Sequence, residues 1–270
     1  MKKLWIALST LGIVFLVVGC GSNQAKSDNT NTDKGKKVED TAMTNENDQQ
    51  KQGETKALTE QQVLAATKKQ IAEKGIALPK QIPLSSSKMH LTATTAGSSA
   101  SYVVDFFESD KPIPINNEKL KNGQNAKEIG RIEKKTYSSE KAAEEAIGYT
   151  DFSKTGAKPV DLGHDIKGYP DAGAGNKYMN WNEGRWALSV HASNINNGDY
   201  MPLTKQTVAF LEKESLPIPN KYGSVKLDSE KNTSLTGNQV MWQEGRTVYI
   251  VYAMDPMKAL QMATNFDKTN

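Results

Sequence analysis

Cysteine is almost absent from this chain: Cys20 is the only one in 270 residues. An outward-facing domain would therefore gain no disulfide, and beyond position 20 no thiol exists to act as a nucleophile. Histidine is nearly as scarce. His90, His164 and His191 stand far apart, without HExxH spacing or a neighbouring Cys pair, so the sequence gives no warrant for a metal site. His164 and Asp165 could suggest a base with its orienting acid, yet adjacent side chains seldom face one another and no Gly-x-Ser-x-Gly elbow supplies a nucleophile. Cofactor motifs are missing too. Residues 171–175 (DAGAG) lack GxGxxG spacing and a following Lys-Ser or Lys-Thr, and are expected to form a flexible loop beside a hairpin. Asp199 lies in a polar loop without the full calcium-binding pattern. Long apolar runs are also lacking: the longest, residues 4–18, has fifteen positions, short of the roughly 20 that a helix needs to cross a hydrocarbon core.

That short run is informative for what surrounds it. Lys2 and Lys3 precede it, and Val17-Val18-Gly19-Cys20-Gly21 ends it, giving a charged n-region, an apolar h-region and a small residue before the cysteine. This resembles the lipobox of bacterial lipoproteins, with Val17 where leucine is commoner. The resemblance covers about the first 21 residues and implies that residues 1–19 are a signal peptide removed by a dedicated peptidase. It also implies that a diacylglyceryl group is joined to the thiol of Cys20. Two acyl chains suffice for stable anchoring, whereas a single chain of myristoyl length gives only marginal binding. The expected location is the outer face of the cell membrane, with the membrane itself as partner through the lipid.

Residues 20–57 comprise the modified cysteine and a polar stretch of Asn, Gln, Asp, Glu, Lys, Thr and Gly. Such a composition cannot bury enough surface to offset the entropy of ordering, so a disordered tether is expected. As a flexible coil of about 35 residues it would hold a domain roughly 30 to 35 Å from its anchor. Without Lys2 and Lys3 the chain carries 32 basic and 31 acidic residues, a formal net charge of +1. A balance so near neutral argues against a nucleic-acid partner.

Folding should begin near Leu58. Thr59 with Gln62 three residues on forms a capping box, after which Val63, Leu64, Thr67 and Ile71 mark one helical face until Gly75. Strands are predicted at 90–95, 101–108 and 127–136, then a short helix over 139–149 with Gly148 near its end.

The second half contains a repeat. Trp181-Asn182-Glu183-Gly184-Arg185 returns sixty-one residues later as Trp242-Gln243-Glu244-Gly245-Arg246, and WNEGRWALSVHA aligns with WQEGRTVYIVYA without a gap. Each copy reads as a β-hairpin whose glycine takes a left-handed conformation in a type I turn plus bulge. Strand candidates precede them at 157–162 and 224–228, and helices are predicted after them at 204–216 and 256–266, the latter opened by Pro256. The expected fold class is α+β: an antiparallel sheet with helices on one face, containing two tandem β-hairpin-α units at 156–218 and 223–270. The domain would span 58–270, with 58–150 as its first half.

Glu183 and Glu244 could be read as a paired acid and base, but as exposed tip carboxylates beside Arg185 and Arg246 they are expected to stay ionised and solvated. Trp186 and Tyr249, on matching faces of the two outgoing strands, are the candidate binding surface. Large apolar side chains are mostly buried, so core packing competes with that role. The function expected is a lipid-anchored, non-catalytic surface module that is structural, binding or sensory, with no cofactor and an envelope or protein partner. The alternatives are a hydrolase of envelope polymers and a carrier for a hydrophobic ligand.

Overall fold

The computed structural model describes residues 57–123, 125–230 and 234–267. Cys20 and the segments expected to be a signal peptide and, up to residue 56, a tether lie outside these described residues. Within them the fold is α+β: a ten-stranded, mostly antiparallel sheet and four α-helices. None of the helices is long and apolar enough to cross a membrane.

Helix α1 (Glu60–Ile71) starts at Thr59 with the capping box the sequence implies: Gln62 N donates to Thr59 Oγ1, and Thr59 N donates to Gln62 Oε1. Val63, Leu64 and Thr67 are its buried face, and it ends four residues before Gly75. Strands β1 (His90–Ser98), β2 (Ser101–Ser109) and β3 (Lys127–Thr136) form an antiparallel meander. Ser139 caps helix α2 (Glu140–Ile147), and Gly148 closes it at φ 63°. The remaining elements are β4 (Val160–Asp161), β5 (Lys167–Gly173), β6 (Asn176–Glu183), β7 (Trp186–Ser193), α3 (Met201–Leu211), β8 (Gly223–Asp228), β9 (Gln239–Glu244), β10 (Thr247–Ala253) and α4 (Pro256–Thr264).

The strand order is β1-β2-β3-β10-β9-β8-β7-β6-β5-β4. All pairings are antiparallel except β7 with β8, where α3 supplies the crossover that a parallel connection needs. The purely antiparallel sheet expected from sequence is corrected at that junction.

The helices are not gathered on one face. Side chains of α1, α3 and α4 join one core cluster with Trp181, Leu188, Val190, Trp242, Tyr249 and Val251. Ala143 and Ile147 of α2 pack in a second cluster with Met241, Val248, Ile250 and Tyr252. Successive strand residues point to opposite sides, so alternate residues of β10 feed the two clusters and both its faces are apolar. A central strand covered on both sides needs such a sequence, and the oppositely placed α2 is the consequence.

Several boundaries differ from expectation. The strand candidate at 157–162 pairs only at Val160 and Asp161, on the sheet edge, where Pro159 has no N–H to donate. Residues 171–173 end β5, and Ala174 and Gly175, at φ 49° and 80°, make a tight two-residue turn into β6 instead of a loose loop. Helix α3 begins at Met201, not Thr204: proline is tolerated in its first turn, and Asp199 Oδ1 accepts from Met201 N.

Candidate functional site

The repeated pentapeptides form the tips of the β6–β7 and β9–β10 hairpins. Glu183 pairs with Trp186, and Glu244 with Thr247, which leaves two-residue loops of Gly184-Arg185 and Gly245-Arg246. Gly184 and Gly245 have φ of 56° and 59°, whereas neither arginine is at positive φ. Glycine alone in the first loop position is the signature of a type II′ turn, whose twist suits a two-residue hairpin; the type I turn plus bulge is corrected accordingly.

In each hairpin the tryptophan and the glutamate stand two residues apart on one face of a strand. Trp181 Nε1 donates to Glu183 Oε1 at 2.6 Å, and Trp242 Nε1 donates to Glu244 Oε1 at 3.1 Å. The indoles are fully buried, so each needs a partner for its one donor, and the glutamate two residues on provides it. The intervening amides point to the other face. Asn182 Nδ2 donates to Thr150 O and its Oδ1 accepts from Phe152 N, both at 2.8 Å, while Gln243 Nε2 donates to Glu140 O at 2.9 Å. The two amides thus hold opposite ends of the α2 segment against the sheet.

Glu183 is not the solvated tip carboxylate expected. It is half-buried, and burial pushes its carboxyl above the ordinary 4.5, opposed by the Trp181 hydrogen bond and reinforced by the charge of Glu212. Arg185 does not neutralise it, because its guanidinium donates instead to the carbonyls of Pro219 and Asn220 at 2.8 and 3.1 Å.

Beside this tip lies a cleft of about 450 Å³, between the β6–β7 hairpin, the end of α3 and the segment 214–219. Trp186, Leu211, Leu216, Pro217 and Ile218 give it apolar walls, and Glu183, Glu214 and Arg185 its charges. This is within the usual size range of small-molecule sites, which are mostly apolar with a few placed polar groups. Trp186 is held by Nε1 donating to Pro217 O at 3.3 Å, and Ile218 is 76 % exposed at the rim.

The two aromatics expected to share a surface are separated. Trp186 is 7 % exposed but lines the cleft. Tyr249, 4 % exposed, is a core residue stacked on Trp242 at 5.4 Å, so its assignment to a binding surface is corrected. A β10 strand covered on both faces has no solvent to offer it.

A larger cleft of about 1070 Å³ lies over β2, β3 and the loop that joins them. Asp105 and Arg131 are cross-strand partners on its floor, and Arg131 Nε donates to Asp105 Oδ1. Arg131 Nη2 also reaches Glu128 Oε1 at 3.4 Å. Burial raises the pKa of Glu128, the neighbouring Asp105 carboxylate raises it further, and Arg131 counters both. Two carboxylates converge here from strands that the sequence predicted, yet nothing in their spacing announced the meeting. A register shift between Phe106 and Phe107 aligns Glu128 with Phe107 and leaves Arg131 opposite Asp105.

The histidines stay apart. His164 Nδ1 approaches Glu212 at 3.5 Å, not its neighbour Asp165, and His191 sits between Asp228 and Asn176. Among the described residues no group of three or more His, Cys, Asp or Glu side chains could hold a metal ion. Comparison of the chain with protein-family models, curated proteins and solved structures finds no match.

Proposed function

We propose that the chain is a lipid-anchored surface protein whose domain binds a small apolar group in the Trp186 cleft and has no catalysis of its own. One observation carries the binding part: an apolar cleft beside a hydrogen-bonded tryptophan, with an incompletely compensated carboxylate in its wall. The lipobox at residues 17–20 supports the anchor, and the polar composition of 22–56 supports a spacer between anchor and domain. On this reading the protein works at the outer face of the membrane, on an envelope or protein component and not on nucleic acid. The strand-hairpin-helix order around each pentapeptide, with matching Trp-Glu hydrogen bonds, supports 156–218 and 223–270 as diverged copies of one β-hairpin-α unit.

The test has two arms. Small apolar fragments should show ligand-observed NMR contacts with the parent protein and lose them in Leu216→Trp, whose indole fills the cleft. Failure of every fragment to bind the parent would remove the binding reading. Separately, Cys20→Ala should accumulate an unlipidated precursor that retains its signal. Processing at Gly19 with unchanged detergent partition would remove the anchor.

The convergence of Asp105 and Glu128 favours a second reading, an envelope-polymer hydrolase, because a carboxyl raised by burial beside another carboxylate suits acid–base chemistry. Asp105 and Glu128 share one guanidinium, which makes a structural ion-pair network the competing account. Release of soluble fragments from isolated envelope polymer by the parent, and not by Glu128→Gln, would favour the hydrolase.

A further inference from the structure

The two hairpins differ in what lies on their tryptophans. Trp242 and Tyr249 are cross-strand partners, and Phe266, just after α4, packs edge-on against both, at 4.8 and 5.5 Å between ring centroids. In the other hairpin the cross-strand partner of Trp181 is Leu188, where the sequence alignment has Tyr249. The stretch after α3, residues 212–219 (EKESLPIP), contains no aromatic residue. Trp186 and Leu211 border open space there, with Leu188 fully buried behind them. One hairpin–helix corner is filled by a phenyl ring from the segment after its helix; the other has the Trp186 indole in its wall and receives no ring from the segment after α3.

Carboxylates outnumber cations around the open corner. Glu183 and Glu214 line it, and Glu212 is near enough to raise the Glu183 pKa. Arg185 also lines the corner, but its Nη1 is turned to the carbonyls of Pro219 and Asn220, and no ion pair joins it to Glu183 within 4.0 Å. An anion would meet two carboxylates against one guanidinium, and a neutral group would leave Glu183 desolvated without a counter-charge. A cation would compensate the carboxylate.

We infer that the Trp186 cleft recognises a compact apolar or aromatic group bearing an ammonium, with the ring or alkyl part against Trp186 and Leu216 and the ammonium directed to Glu183. The inference rests on the cleft being the binding site, and goes beyond it by naming the charge of the ligand.

Three probes of nearly equal shape decide it: phenethylammonium, 2-phenylethanol and 3-phenylpropionate. Each is titrated into the full mature protein in neutral detergent, with detergent alone as the blank, and read by tryptophan fluorescence and saturation-transfer NMR. Phenethylammonium should bind at least tenfold more tightly than the alcohol, and the carboxylate more weakly than either. Glu183→Gln keeps an acceptor for Trp181 and should bring ammonium and alcohol to equal affinity. Equal affinity of the two in the parent protein would overturn the ammonium inference and leave the apolar cleft standing. Absence of binding by all three would overturn both. The comparison among probes in the parent protein needs no variant to fold.

Discussion

Trp186 and Gly223 are partners across the β7–β8 junction, and the indole occupies the space a side chain at 223 would need: a Cβ there would lie 2.6 Å from both Cε3 and Cζ3. Gly223 is required by this close approach and not by its backbone angle. Gly223→Ala must displace the ring that walls the cleft, and overpacking of this kind costs about 1 to 3 kcal/mol. We expect a lower urea midpoint and an altered tryptophan emission spectrum together. An unchanged midpoint would show that the ring moves aside freely.

The hairpin glycines offer the complementary case. A Cβ at Gly184 meets nothing within 4 Å, and one at Gly245 meets only Glu140 Oε1 at 3.9 Å. Any cost of Gly184→Ala or Gly245→Ala is therefore conformational, at least about 1 kcal/mol each, for a residue forced to positive φ. Thermal or urea unfolding of the two variants should give similar losses. A neutral result at either position would contradict the type II′ assignment.

Glu183 links the site to pH. Its folded-state pKa is raised, mainly by burial, so the native state holds the proton more tightly than the unfolded chain does. Stability should fall as pH rises from the ordinary 4.5 through the raised value, and recover on acidification. Glu183→Gln, which cannot ionise, should flatten that part of the profile. Urea midpoints of both proteins between about pH 4 and 7.5 decide it; parallel profiles would mean that Glu183 is not desolvated.

Helix α1 should matter far more than the polar segment before it. Val63 and Leu64 are buried, Gln61 Nε2 donates to Lys80 O, and Lys68 pairs with Asp267 at 2.6 Å. A chain starting at Gly75 should lose several kcal/mol, since each buried aliphatic side chain contributes about 1.5 to 3 kcal/mol. One starting at Leu58 should melt within about two degrees of one starting at Gly21, because the composition of residues 22–56 offers few apolar side chains to bury. A large drop for the Leu58 chain would mean that the polar segment docks on the domain.

The legible features were local ones. Thr59 and Gln62 announced a capping box, Ser139 and Gly148 the two ends of α2, and Pro256 the start of α4, because each is set by hydrogen bonds or backbone angles within a few residues. The pentapeptides announced hairpins, and their glycines positive φ, for the same reason. The purpose of the Trp-x-Glu spacing was also present in the sequence. Strand periodicity puts the two on one face, and a buried indole N–H needs an acceptor there.

Residue order alone thus settles the chemistry of helix ends and turns: which residues cap, which bend, and which tryptophans carry their own acceptors. Tertiary structure alone decided the parallel seating of β8 on β7, the placement of α2 on the opposite face, the meeting of Asp105, Glu128 and Arg131, and the separation of Trp186 from Tyr249. These depend on which strands become neighbours and on what lies above them, relations among residues tens of positions apart that no local pattern encodes. Phe266 shows the reason most directly. Its ring closes one hairpin corner because the chain leaving α4 packs it on Trp242 and Tyr249, whereas the segment after α3 brings no aromatic to the wall formed by Trp186 and Leu211, and the cleft lies there.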